Sequence, residues 1–354
     1  MPDANAPSGA DKIARDVLLV GSLALENTEA VMTAAADALR GAVRRLPDGE
    51  TGARSKFITW QVHVLGKAPQ FEMLPLGPQS EWGPNGEFPP RILKLKPGAT
   101  GTPAFPPTGY AEAAIDSYRT FAKLKAAGRI GPDVRFQVGL PTPLGVLAVF
   151  MEPDAQRIAE PPYRQRLLED IDRIAAAVPA RELSIQLDVP EEIAVWESHN
   201  TIFLDNPRDA VVTKLLELME RVPRAAELGM HLCYGDISHK HWKEPDIGLM
   251  AAFTNAVVAR LTRPLDYIHM PIPRHWTEPH HYTKLRDFKL KPETRVYLGL
   301  VHMTDGAAGA KKRIDAARQH LSDFGVGTSC GLGRRTAAEI PGILALHREV
   351  ASIA

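Results

Sequence analysis

The sequence predicts an α/β fold with a single (β/α)8 barrel. Three observations carry this expectation. Short β-branched apolar runs alternate with longer amphipathic stretches, the pattern of repeated βα units around a parallel sheet. Eight such units fit into residues 17–354, the number that closes a barrel. No glycine-rich dinucleotide fingerprint follows the first apolar run, which argues against a doubly wound nucleotide-binding sheet.

In chain order the strand candidates are VLLVGS (17–22), RRLP (44–47), VRFQVGL (134–140), LSIQLD (183–188), MHLCYG (230–235), LDYIHM (265–270), VYLGLV (296–301) and FGVGTS (324–329). Helix-like sequence with apolar residues at helical spacing covers 29–44, 110–127, 162–178, 208–228, 307–321 and 336–351. Residues 62–108 are too rich in proline and glycine for an element interior and read as a long loop after strand two. Residues 1–16 read as a flexible N-terminal segment, with 17–354 as one catalytic barrel domain and no internal repeat beyond the βα rhythm.

Lys plus Arg equals Asp plus Glu at 42 each, so no net field draws the chain to nucleic acid or anionic lipid, and a small-molecule partner is expected. The start, MPDANAPSGADKIARD, lacks the apolar core of a signal peptide, and two cysteines make no disulfide framework; the cytoplasm is the expected compartment. No run of 18 apolar residues occurs, so no membrane span is expected. A homodimer is left open.

Barrel chemistry gathers at the C-terminal ends of the strands. Those ends carry Gly21 and Ser22; Asp48 and Glu50; Gln186 and Asp188; His231, Cys233 and Asp236; His269; His302 and Asp305; and Ser329 with Cys330. His231 and Cys233 are two apart, so on a strand both face the same side. Together with Cys330 they form the imidazole and thiolate set that Zn2+ prefers, and three protein ligands leave one position for substrate, as in catalytic zinc sites. Two buried thiols beside an unrelated histidine fit the same spacing.

MHLCY, IQLDVP and CGLGRR together resemble the C-terminal catalytic barrel of cobalamin-independent methionine synthase, in the superfamily that includes uroporphyrinogen decarboxylase. VGS (20–22) and VGLPTPLGVLAVF (138–150) are similar to further segments of that family, in the same order. The resemblance implies zinc on His231, Cys233 and Cys330, with Asp188 holding a substrate amino group and Gly21, Ser22 and Gln186 near the substrate. It further implies a metal that binds the substrate thiol.

Several departures bear on the substrate. A chain of 354 residues has no room for the family's additional folate-binding barrel, so a donor other than folate is expected, with a corrinoid protein or free corrinoid among the alternatives. The family's zinc-binding glutamate aligns with Pro271, leaving His269 as a substitute ligand. Thr59 aligns with a second carboxylate that holds the amino group, which weakens the case for homocysteine. His302, Asp188 and Glu50 are the candidate acid and base groups, and Arg334 a candidate clamp for a carboxylate or phosphate. The expected function is a zinc-dependent transferase that moves a methyl or alkyl group to or from a thiol sulfur. The alternatives are a lyase or decarboxylase using Asp188, Glu50 and His302, or a non-catalytic barrel that binds a thiol or metal.

Overall fold

The computed structural model describes residues 13–75, 91–200, 202–235 and 241–353. Asp236 and most of the N-terminal segment lie outside the described residues. Parallel strands β1 (Arg45–Pro47), β4 (Arg135–Pro141), β5 (Leu183–Asp188), β6 (Glu227–His231), β7 (Tyr267–Pro271), β8 (Arg295–Val301) and β9 (Gly325–Thr328) form one seven-stranded sheet in that order. A small antiparallel pair, β2 (Phe71–Met73) and β3 (Leu93–Leu95), stands apart. The helices are α1 (Thr28–Ala38), α2 (Gln61–Leu65), α3 (Tyr110–Ala126), α4 (Pro143–Phe150), α5 (Pro153–Ala177), α6 (Pro190–Trp196), α7 (Pro207–Arg221), α8 (Ile247–Val258), α9 (Gly306–Arg318) and α10 (Ile340–Ser352). Among the described residues, none of them is long and apolar enough to cross a membrane.

The first predicted strand differs from expectation. Residues 17–23 form no continuous ladder; Val17 bridges both Val43 and Val326, Ser22 bridges Gly49, and Leu23 bridges Leu332. Side chains take the place of part of the missing ladder. Gln137 Nε2 donates to the carbonyls of Leu19 and Val20 at 3.0 and 2.9 Å, and Gln186 Nε2 donates to Val20 at 2.8 Å. The segment is thus tied to its neighbours by buried amides, which satisfy carbonyls that would otherwise be orphaned.

Other boundaries shift for physical reasons. Strand β6 starts at Glu227, ahead of the apolar run, because the Glu227 carboxylate is used: it accepts from Arg45 Nε at 3.0 Å and from Arg135 Nε at 3.1 Å. It ends at His231, so Cys233 lies beyond the strand proper, although the Leu232 amide still donates to His269 at 2.8 Å. Helix α5 runs through Pro161 and Pro162, where a helix start is expected. The long loop after the second predicted strand is built in part, containing α2 and the β2–β3 pair.

One end of the sheet interior is closed by aromatic rings lying over glycines. Tyr267 pairs with Gly229 in register and Tyr297 with Gly325. Arg45, almost fully buried, lies with its guanidinium 4.0 Å from the centre of the Tyr267 ring and donates to the Tyr297 hydroxyl at 3.0 Å. Cation–π contact and ion pairing together satisfy a charge that burial alone would penalise. A Cβ on Gly229 would fall 2.0 Å from Tyr267 Cζ. Gly229→Ala is therefore expected to lower the stability by about 3 kcal/mol through overpacking. A urea denaturation midpoint checks this, and Gly229→Ala with Tyr267→Leu should cost less than the sum of the two single changes; an unchanged midpoint in Gly229→Ala contradicts it.

Candidate metal centre

Parallel register sets Asp188, His231 and His269 side by side, the first two ending β5 and β6 and the third in the middle of β7. Cys233 follows two residues after the end of β6, and Cys330 two residues after the end of β9. The ligand atoms of His231, Cys233 and Cys330 lie within 4.8 Å of one another, and among the described residues no other group of histidine, cysteine and acidic residues converges in this way. The sulfurs are 3.9 Å apart. That separation excludes a disulfide bond. It matches the edge of a tetrahedron with Zn–S bonds of about 2.3 Å, which is about 3.8 Å.

The donor set passes a second test. His231 is fully buried, its Nδ1 lies 2.8 Å from Nδ1 of His269, and its Nε2 is buried without a hydrogen-bond partner. A buried imidazole nitrogen with no partner is costly unless something occupies its lone pair. Burial lowers the His231 pKa well below its ordinary value and that of His269 to about 3, so both rings are neutral. A neutral imidazole beside two thiols suits a borderline-soft cation. His269, expected as a fourth ligand, stands behind His231 and outside the converging group.

A cavity of about 180 Å3 adjoins the thiols. Of the residues predicted from sequence, Gly21, Ser22, Glu50, Thr59, Asp188, Cys233, Cys330 and Arg334 line it. Gln186 does not; its amide donates to Asp188 Oδ1 at 2.9 Å and to the Val20 carbonyl, so it orients a lining residue instead of facing the cavity. His302 is also absent from the lining, with its Nε2 donating to the Ile272 carbonyl at 2.9 Å and burial lowering its pKa to about 4. Asp305 is taken up by Arg313, at 2.7 and 2.9 Å.

Glu50 stands out for its backbone and its surroundings. Its φ is +49°, in the left-handed region that a residue with a Cβ rarely adopts. Asp48 Oδ1 accepts from the Glu50 amide at 2.8 Å and holds this turn, while Asp48 Oδ2 accepts from Arg54 at 2.7 Å and Ser117 at 2.8 Å. The Glu50 carboxyl then fits where side chains are missing: a Cβ on Gly21 would lie 2.8 Å, and one on Gly139 3.0 Å, from Glu50 Oε1. Burial, reinforced by the nearby charges of Asp188 and Asp48, raises its pKa to about 8, and burial raises that of Asp188 to about 7.

Sequence reading missed Glu191, which lines the cavity, accepts from Asn200 Nδ2 at 2.6 Å and has its pKa raised to about 7 by burial. In the sequence, Glu191 follows the strand 183–188 outside every predicted helix, with no spacing to single it out. Phe57, Phe150 and Trp242 supply the apolar part of the wall.

No protein-family profile matches the chain, and no curated protein matches it. Solved structures do match its fold. A B12-independent methionine synthase from Shewanella sp. W3-18-1, in complex with selenomethionine, is similar at 15% identity with a TM-score of 0.58, over 96% of this chain and 97% of that one. A putative vitamin-B12-independent methionine synthase from Listeria monocytogenes is similar at 16% identity with a TM-score of 0.56, over 97% of each chain. The likeness is one of fold.

Glu50 supplies a pH test. The folded chain keeps a proton that the unfolded chain releases near 4.5, so folding favours the protonated form. Its contribution is present below about pH 4.5 and is lost as pH rises towards 8. In metal-free protein, the urea midpoint should fall across that window, and Glu50→Gln should make the fall shallower. Identical pH profiles for parent and variant contradict the assignment.

Proposed function

We propose that the chain is a zinc-dependent transferase that moves a methyl or alkyl group to or from a thiol sulfur. The observation that carries this reading is the convergence of the only two cysteines in the sequence, both lining one cavity, with a buried, partnerless imidazole nitrogen. The likeness to methionine synthase structures supports the same class of reaction. The two-sided bridges of residues 17–23 support reading the sheet as a closed (β/α)8 barrel, with that segment as its remaining stave.

His231, Cys233 and Cys330 would hold the ion. Held there, zinc would supply a Lewis acid that lowers the pKa of a substrate thiol towards neutral pH. What the protein's other residues supply is positioning. Phe57, Phe150 and Trp242 exclude water from the approach to sulfur, which strengthens electrostatic contacts inside. Gln186 fixes the Asp188 carboxyl, and Glu50 faces the same space from between Gly21 and Gly139. Near neutral pH these two carboxyls together retain about one proton, so they offer both a donor and an acceptor to a polar or amino group on the substrate. A thiol with such a group a few bonds from sulfur is the substrate class that fits. Alkyl transfer is then an in-line displacement at carbon, a reaction helped chiefly by orientation.

The acid–base alternative, a lyase or decarboxylase, keeps Glu50 and Asp188 in the cavity but has His302 outside its lining. Turnover that survives complete chelation of metal would favour it over transfer to sulfur.

X-ray absorption on the zinc-loaded protein, with and without a panel of small thiols, tests the reading. Two sulfur ligands should become three with the right thiol, and Cys233→Ser should lower thiol alkylation by at least about 100-fold. Full activity in Cys233→Ser, or two sulfurs throughout the thiol panel, contradicts it.

A further inference from the structure

Behind the converging donors lies a second imidazole for which the three-ligand reading has no role. His231 and His269 are paired residues of β6 and β7, both fully buried, with ring centres 4.8 Å apart and Nδ1 facing Nδ1 at 2.8 Å. Such a contact holds one proton. Two protonated nitrogens would clash, and two bare ones would set lone pair against lone pair. For two imidazoles carrying one proton each, the contact permits only two arrangements: the shared proton sits on His231 and leaves its Nε2 bare, or sits on His269 and leaves His231 with a proton on Nε2.

The surroundings distinguish the two. His231 is the ring that converges with the two sulfurs, and its Nε2, the nitrogen not engaged with His269, is buried with no acceptor for a proton, which favours leaving it bare for a metal. His269 Nε2 has no acceptor either, but it lies beside Gly327, where a Cβ would be 3.5 Å from it, and outside the converging group, so no metal competes with a proton there.

We infer that His269 is a positioning residue that fixes the tautomer of His231. His231 presents a bare Nε2 to the metal and donates its Nδ1–H to Nδ1 of His269, whose own proton stays on Nε2. The arrangement puts an imidazole where metal-bound histidines commonly have a carboxylate or a backbone carbonyl. A neutral acceptor leaves the charge of the two thiolates uncompensated except by the metal. It also gives His269 a role that requires no contact with the metal, consistent with its place outside the converging group.

This inference rests on the metal reading, and the experiment separates the two. Zinc affinity is measured by chelator competition for the parent, His269→Asn and His269→Leu. Asparagine can accept from His231 Nδ1 through its side-chain oxygen, whereas leucine cannot. The expected result is a loss of about 10- to 100-fold in His269→Leu, with His269→Asn within about threefold of the parent. Long-range proton–nitrogen NMR on the zinc-loaded parent should show His231 protonated at Nδ1 and metal-bound at Nε2, a readout independent of whether the variants fold. A parent that binds no zinc overturns the metal reading and this inference with it. A parent that binds zinc while His269→Leu binds equally well, a His231 protonated at Nε2, or two imidazoles bound to zinc overturns the inference alone.

Discussion

The fold depends on bringing the ends of β6 and β9 together. Two strands separate them in the sheet. With neighbouring strands about 4.8 Å apart, three intervals in a flat sheet would span about 14 Å. The sulfurs of Cys233 and Cys330 are nevertheless 3.9 Å apart, so the sheet must curl strongly and its ends must lean inward. Glycines make room for this. A Cβ on Gly299 would lie 2.8 Å from Ser329 Cα, one on Gly327 2.8 Å from the Leu18 carbonyl, and one on Gly333 2.2 Å from the Ser55 carbonyl. At each point backbone packs where a side chain would stand, and the segment carrying Cys330 is pressed against residues 18–22 and the loop after β1.

The same geometry accounts for the two acids at the cavity. Carboxyl groups are rarely buried without a cationic partner, and when they are, the proton is retained. Asp188 is held in place by Gln186 and Glu50 by the turn that Asp48 organises. The left-handed backbone at Glu50 costs on the order of 1–2 kcal/mol. Strain of this kind persists where the surroundings over-determine it, and it accompanies functional sites. At the other end of the sheet interior, Arg45 between Tyr267 and Tyr297 anchors strands β1, β7 and β8, stabilising the scaffold against which the strained turn is held.

Much of this was legible in the sequence because period and residue type carry it. Seven of the eight apolar runs became strands of one parallel sheet, and both cysteines reached one place because both follow strand ends. What was not legible depends on partners distant in the chain. The run 17–22 reads as a strand, yet Gln137 and Gln186 hold two of its carbonyls, and no local pattern reveals a side chain more than a hundred residues away. Glu227 reads as part of the helix-like stretch 208–228, and the strand start there is hidden because the buried arginine that uses it is the distant Arg45. His269 and His302 look alike as strand-end histidines, and only the register shows that one meets His231 while the other meets the Ile272 carbonyl. Glu191 is hidden because no motif or predicted element covers it after the strand 183–188, and its burial depends on α6 and on Asn200.

The central claim is that three residues from β6 and β9 form a metal centre facing the cavity. Anomalous diffraction from zinc-soaked crystals, recorded on both sides of the zinc absorption edge, tests it most directly. The account predicts a single strong peak within bonding distance of His231 Nε2, Cys233 Sγ and Cys330 Sγ, on the side of the sulfurs that meets Glu50 and Asp188. A map with no peak among these atoms, or with the ion bound elsewhere on the chain, would contradict it.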